Sequence, residues 1–326
     1  MVNLRKPYFR CALLCSRREK RLYSIWAFAL VALEADCGQF WMKHSAVKGV
    51  ATELDFFVRF WGVRGSIPCP GEATSRYGGN TSCIEVRCGE HLLIFDAGTG
   101  FSELGKRLRG EGPLDADLFL THTHYDHIWG WPHFYPGLEA DTRLHIRAGH
   151  LIPEHRTEEL MLGLLNDPLN PLNSETLRAR IVFEDFVIGS TIEPRPGIVV
   201  RTAHLNHPNR ASGYRIEFDG RSICYLTDHE HTEDGPDDAL VKLTRLADLV
   251  IYDSTYTDEE YPNHVGWGHS TWTEGVKLCN IADAGTFVVF HHDPGHDDKF
   301  MDQIALDASA ARPGTVVARE GLVLRP

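Results

Sequence analysis

Between residues 121 and 127 the chain reads Thr-His-Thr-His-Tyr-Asp-His, so four metal-ligating side chains, His122, His124, Asp126 and His127, fall within six residues. Imidazole and carboxylate are the ligands that suit zinc, manganese or iron. His122 and His124 are two apart, so on an extended segment their side chains point the same way. Asp126 and His127 follow where the chain turns, and can face a second point a few ångströms away. The run sits at the end of a strand-like stretch, 117–121 (DLFLT). Histidines that merely pack or solvate a loop are the bland alternative, and the density of ligands argues against it.

Further chemistry-bearing segments lie on both sides: Ile94-Phe95-Asp96-Ala97-Gly98-Thr99-Gly100 upstream; Ala203-His204-Leu205-Asn206-His207-Pro208, Tyr225-Leu226-Thr227-Asp228 and Phe290-His291-His292-Asp293-Pro294 downstream. In this order they resemble the motif series of the metallo-β-lactamase superfamily, over residues 56–326. The resemblance implies a two-metal site, with His122, His124 and His207 on one ion and Asp126, His127 and His291 on the other. Asp228 would lie between, its two oxygens able to touch two cations. Asp96 would bind no metal but hold a loop or a ligand histidine in place. Two positions have rivals. His207 is favoured over His204 because it stands ahead of Gly213-Tyr214-Arg215-Ile216 as its counterpart does in phosphodiesterase-like members. His291 is favoured over His292 as the first residue past the strand. His229, Glu230 and His231 read as loop residues.

Asp253 (in Tyr252-Asp253-Ser254-Thr255) and His269 (in His269-Ser270-Thr271) resemble paired motifs of the branch containing tRNA 3′-processing endonucleases and related phosphodiesterases. There an acidic residue orients a histidine that faces the scissile phosphate, and an imidazole so held can give a proton to a leaving alkoxide. Helix capping beside an incidental histidine is the alternative. The implied mechanism makes Asp126, His269 and Asp253 the catalytic residues. The cations would supply an activated hydroxide for in-line attack on phosphorus, Asp126 would orient it, and His269 would protonate the departing oxygen. The stretches 60–68 and 76–82 resemble the start of a bacterial phosphodiesterase-like group. Arg64, Ser66, Arg76 and Asn80 in them could donate to an anion, or serve only as hairpin and turn.

The elements that must position these residues are legible in outline. Strand-like stretches run over 56–61, 83–88, 91–95, 117–121, 143–147, 198–203, 214–218, 222–226, 249–252 and 286–290, with short ones near 315–318 and 322–325. Helical patterns fit 101–109, 154–165, 237–246, 271–283 and 298–310. Asp219-Gly220 marks a tight turn. Two sheets packed together with helices outside follow from this order: an α/β fold, the four-layer αββα sandwich of the resembled family. The stretch 166–174 (NDPLNPLNS) reads as an inserted loop over one face.

Residues 1–54 look unlike the rest and are expected to form an extension, helical or poorly ordered, ahead of a hydrolase domain over 55–326. The apolar run 22–33 is shorter than the roughly 20 residues needed to span a bilayer, and no small-x-small cleavage site follows it. Met42 is an alternative start. With eight cysteines and no CxxC pair, free buried thiols in a reducing compartment are expected, hence a cytoplasmic location and no membrane partner.

The 326 residues are 43% apolar and 24% charged, which excludes disorder for most of the chain, and the net charge is −12. So acidic a chain is a poor general binder of nucleic acid or anionic membranes. The expected cofactor is a pair of divalent metal ions, zinc first, with manganese or iron as alternatives. The expected substrate is a small phosphodiester such as a cyclic nucleotide. A tRNA 3′-processing-type endoribonuclease is the runner-up, because the stretch 151–180 carries Glu154, Glu158, Glu159, Asp167 and Glu175 against Arg156, Arg178 and Arg180 and does not read as a basic RNA-gripping arm. A lactonase or thioesterase on the same fold is weaker. The glyoxalase II kind would carry a helical domain where only 35 residues follow His291, and a β-lactamase would be exported. A non-enzymatic metal-binding protein is weaker still, since no ligand of the series is missing. Members of the resembled branch are commonly homodimers.

Overall fold

Strands apolar on both faces need cover on both sides, and the strands at the centre of this chain alternate between two apolar clusters. In the computed structural model, which describes residues 55–171 and 174–326, Leu93 and Phe95 of β3 (His91–Phe95) enter one cluster while Leu92 and Ile94 enter another. In β10 (Arg221–Leu226), Ile223 and Tyr225 join the same first cluster and Cys224 and Leu226 a third. The shared cluster lies between two sheets and the other two lie beneath helices. The expected αββα sandwich is the architecture found. The extension expected over residues 1–54 lies outside the described residues.

The first sheet holds β1 (Phe56–Gly62), β2 (Cys83–Cys88), β3, β4 (Asp115–Leu120), β5 (Arg143–Ala148) and β6 (Arg180–Asp185), with β14 (Val323–Leu324) beside β1. The second holds β7 (Thr191–Arg195), β8 (Ile198–Leu205), β9 (Ala211–Phe218), β10, β11 (Leu249–Asp253), β12 (Thr286–Phe290) and β13 (Val316–Val317). Each sheet follows one plan: antiparallel pairings first, then a parallel run, β3-β4-β5-β6 and β10-β11-β12-β13. Helices α1 (Thr99–Leu108) and α3 (Thr157–Gly163) cover the first sheet through Phe101, Leu104 and Met161. Helices α4 (Asp238–Thr244), α5 (Trp272–Ile281) and α6 (Asp298–Ala311) cover the second through Leu240, Val276 and Met301. At the β9–β10 turn, Asp219 and Gly220 have φ of 50° and 74°, the doubly positive conformation of a two-residue hairpin. Among the described residues no helix is long and apolar enough to cross a membrane.

Two strands were not foreseen. β6 and β7 are the outer strands of their sheets and only partly buried. In β6 the apolar run, Ile181-Val182-Phe183, is only three residues long between charged flanks, and Pro194 in β7 is a residue that sheets confine to edges. Residues 166–171, within the stretch read as an inserted loop, lie in the connection that leaves β5, forms α3 and returns to the parallel strand β6, a crossover of the kind a parallel pair requires.

Candidate metal centre

In α/β sheets ligands gather outside the carboxyl ends of the parallel strands. Here Asp96 follows β3, His122 to His127 follow β4, Asp228 follows β10, Asp253 ends β11 and His291 follows β12. His207 comes two residues after β8. Asp96, Asp228 and His291 have φ of 62°, 59° and 63°. A positive φ costs a non-glycine residue free energy and persists where the surroundings impose it. Three strand exits share this kink, which turns each side chain to one point. The short helix α2 (Tyr125–Ile128) then places Asp126 and His127.

Among the described residues four clusters of ligand atoms result: His122, His124 and His207; Asp126, His127, Asp228 and His291; and two that bring in His269, with His207 and Asp228 and with Asp253 and His291. Asp228 faces the ligands of the first two. Its Oδ1 lies 3.7 Å from Nε2 of His122 and 3.7 Å from Nε2 of His207. Its Oδ2 lies 3.1 Å from Nε2 of His127 and 3.2 Å from Nε2 of His291. Asp126 Oδ2 stands 3.2 and 3.4 Å from the same two nitrogens. His207 Nε2 and His124 Nδ1 are 3.1 Å apart, close to the roughly 3.3 Å separating two nitrogens on one tetrahedral zinc.

The opposite ring nitrogens are held by the protein. His127 Nδ1 meets Asp96 Oδ2 at 2.9 Å, and Asp96 also accepts from Thr121 N–H at 2.8 Å and from the Tyr225 hydroxyl at 2.9 Å. His207 Nδ1 donates to Gly268 O at 2.8 Å. His291 Nδ1 lies 3.0 Å from Thr255 Oγ1, and His122 Nδ1 3.1 Å from Thr121 Oγ1. Nδ1–H donation leaves each Nε2 with a free lone pair aimed inward. Among the described residues, Nε2 of His122, His127 and His291 are buried without a hydrogen-bond partner. Buried polar atoms are normally paired, so three orphans converging on carboxylates fit divalent cations.

The electrostatics agree. Burial pushes His122 well below its ordinary value and lowers His124 and His207, keeping all three in the neutral, metal-binding form. Burial also opposes charge on His127, but Asp228, Asp126 and Asp96 outweigh it and push that imidazole well up. Burial works against Asp126 and Asp228 as anions, yet His127 above all holds both carboxyls well below the usual range. Among the described residues no Lys or Arg pairs with Asp96, Asp126, Asp228 or Asp253, so positive charge is what this cluster calls for.

Beside the clusters, His269 Nδ1 lies 2.8 Å from Asp253 Oδ2. Burial disfavours its charge, but Asp253 prevails and pushes it up to about 9. Asp253 also accepts from His229 N–H and Thr255 N–H, each at 3.1 Å. Helix capping is real but falls to Thr271, which accepts from Glu274 N–H. A cavity of about 330 Å³ opens on the site, lined by Ser66, Thr123, His124, Tyr125, Asp126, Asp228 and His269.

The rivals lie elsewhere. His204 is exposed on β8, and His292 is buried with Nε2 donating to Ala318 O at 2.8 Å. Of the candidate anion donors, Arg64 is fully buried and gives Nε and Nη1 to the carbonyls of Gly78, Asp293 and His296, Arg76 is held by Asp298 and Asp302, and Asn80 by Glu320. The Ser66 backbone N–H holds Asp126 Oδ2 at 2.8 Å. Glu230 ties down the 261–268 loop, accepting from the Tyr261 hydroxyl and from the N–H of Gly266 and Gly268. Thr121, Thr255, Tyr225 and Gly268 are partners the sequence reading missed. Only Thr121 and Thr255 carried a signal, as hydroxyls next to motif residues.

Comparison with known proteins agrees with this architecture. A curated relative, ribonuclease Z of Haloferax volcanii, is 26% identical over 283 residues, covering 71% of this chain and 83% of that protein. The solved structure of human tRNase Z, short form, superposes with a TM-score of 0.62 at 20% identity over 82% of this chain and 98% of the other. A diphosphatase from the PhnP family superposes at 0.61 and 19% identity over 83% and 98%. At those identities the structures speak for the fold alone. The model of the β-lactamase superfamily domain matches residues 91–292, the span from β3 through the last histidine of the cluster, and the chain therefore belongs to that superfamily, as a hydrolase of the metallo-β-lactamase fold.

Proposed function

We propose that this chain is a binuclear metal-dependent phosphodiesterase of the cytoplasm, acting on a cyclic nucleotide or another small phosphodiester. The observation that carries the reading is Asp228, whose two oxygens face two separate histidine clusters beside the His269–Asp253 pair. His122, His124 and His207 would hold one cation, and Asp126, His127 and His291 the other, with Asp228 reaching both. Zinc suits these ligands best, with manganese or iron as alternatives. When bound, the two cations supply Lewis-acid charge and a lowered pKa for water.

The remaining tasks belong to side chains. Asp126, fixed by the Ser66 N–H, orients the attacking water. His269 keeps Nδ1 on Asp253, which leaves its Nε2 proton for the departing oxygen. Asp253, the partner that most favours charge on this imidazole, is what would keep it in the protonated form a general acid needs.

A tRNA 3′-processing-type endoribonuclease is the second reading, favoured by the ribonuclease Z relatives. The charge of −12 and the acidic β5–β6 connection favour a small substrate instead. The test is turnover by metal-loaded protein of bis(p-nitrophenyl) phosphate, cyclic nucleotides, RNA, a lactone and a thioester. Hydrolysis of the diesters supports the proposal. Hydrolysis of the lactone or thioester alone overturns it, and tight RNA binding with a steep salt slope moves it to the second reading.

A further inference from the structure

We propose that Tyr125 and Trp129 form a base-stacking wall at the mouth of the metal cavity, so that the diester cleaved there carries a planar nucleobase. The inference rests on the phosphodiester reading and deepens it. Tyr125 sits between His124 and Asp126 and lines the cavity with Asp228 and His269. Its side chain is nonetheless 68% exposed. Trp129, one helical turn on, is 47% exposed, and the two rings stand 5.7 Å apart at 34°. Large aromatic side chains carry much apolar area and are mostly buried. Two of them stand in solvent beside a cluster of carboxylates and imidazoles.

The composition of the cavity narrows the occupant. Its lining contains no Lys or Arg. Beyond the proposed cations and His269, nothing there is suited to a second phosphate or to a polyanionic strand. What the wall offers is a π-face, and stacking on such faces is how proteins hold unpaired bases. One Tyr–Trp pair accommodates a single base, which fits a mononucleotide-sized ester whose phosphate lies at the His/Asp clusters. A protein or lipid occupant would need a broad apolar face, whereas this wall adjoins buried ionic groups.

The test compares esters that differ only in the base. Adenosine 3′,5′- and 2′,3′-cyclic phosphates are set against the same cyclic phosphates with a methoxy group replacing adenine. Wild type, Tyr125→Ala, Tyr125→Phe and Trp129→Ala are assayed metal-loaded, with metal content measured on each. Wild type is expected to favour the nucleotides in kcat/KM by roughly 5- to 150-fold. Tyr125→Ala and Trp129→Ala should retain metal and lose much of that preference through KM, the nucleotides losing several-fold more efficiency than the base-free esters. Tyr125→Phe, which keeps the ring, should match wild type. Equal efficiency of wild type on both ester types, or equal losses on both in the alanine variants, would overturn the inference while leaving the phosphodiester reading intact. If wild type cleaves no diester, bis(p-nitrophenyl) phosphate included, that reading fails and takes the inference with it.

Discussion

Asp96→Asn is nearly isosteric, yet it should empty one half of the proposed centre. Asp96 Oδ1 accepts the Thr121 N–H at 2.8 Å, and Oδ2 faces the Tyr225 hydroxyl and His127 Nδ1, both at 2.9 Å. Asparagine offers one oxygen and one NH2 in the same space. If its oxygen stays with Thr121, the NH2 points at His127 Nδ1. A hydroxyl can turn to accept it, but the imidazole accepts only by moving its proton to Nε2. That nitrogen is the one facing Asp126 and Asp228 at 3.2 and 3.1 Å, so the tautomer needed for metal is lost. If the amide flips instead, two donors meet at Thr121. Loss of such a partner typically costs 10–100-fold in metal affinity, and a mispaired buried donor costs about 1–3 kcal/mol. Titration with a graded chelator should remove one metal equivalent from Asp96→Asn at concentrations wild type tolerates. Denaturant unfolding of the metal-free proteins should differ by about 1–3 kcal/mol. A variant that holds two equivalents with wild-type affinity would refute the reasoning.

Three further outcomes are expected. His124→Ala should lose metal and all turnover, whereas His269→Ala should keep metal and lose roughly 10²–10⁴ in kcat, read by metal analysis beside steady-state kinetics. A methyl group on Gly65 would collide with the His291 ring, and one on Gly268 (φ 88°) with the ring of His207; each alanine variant should lower metal content while circular dichroism stays native. Burial lowers His150 and His292 to about 3 and His229 to about 4. These are bases depressed in the folded state, so their contribution is complete above the unfolded value near 6.5 and declines as pH falls toward 3–4. Each adds about 1.4 kcal/mol per pH unit to the slope of stability between those limits. Removing one by His292→Asn should flatten the slope by that amount in unfolding curves at pH 6.5, 5.5 and 4.5.

How far the sequence could be read tracks where the information lies. β3, β10, β11 and β12 were visible because both faces are buried, so nearly every residue is apolar. The edge strands β6 and β7 were not, because the apolar run of β6 is only three residues long and Pro194 sits in β7. The run His122 to His127 is local, and its convergence needs only a strand end and a turn. His207 was favoured over His204 from its place in the motif series, and the register of β8 turns His204 outward. The supports of the site were out of reach for another reason: Thr255 meets His291 36 residues on, and His207 meets Gly268 61 residues on. Such bonds depend on the sheet order: Thr255 shows itself only as a hydroxyl next to a motif residue, and Gly268 not at all.

The proposal of a binuclear centre is tested most directly by metal analysis of the freshly isolated protein, followed by stripping and reconstitution with zinc, manganese or iron, in wild type and in Asp228→Ala. Two equivalents per wild-type chain, with both sites weakened together when the shared carboxylate is removed, are the expected result. Wild type that carries no transition metal and regains none on reconstitution would contradict it.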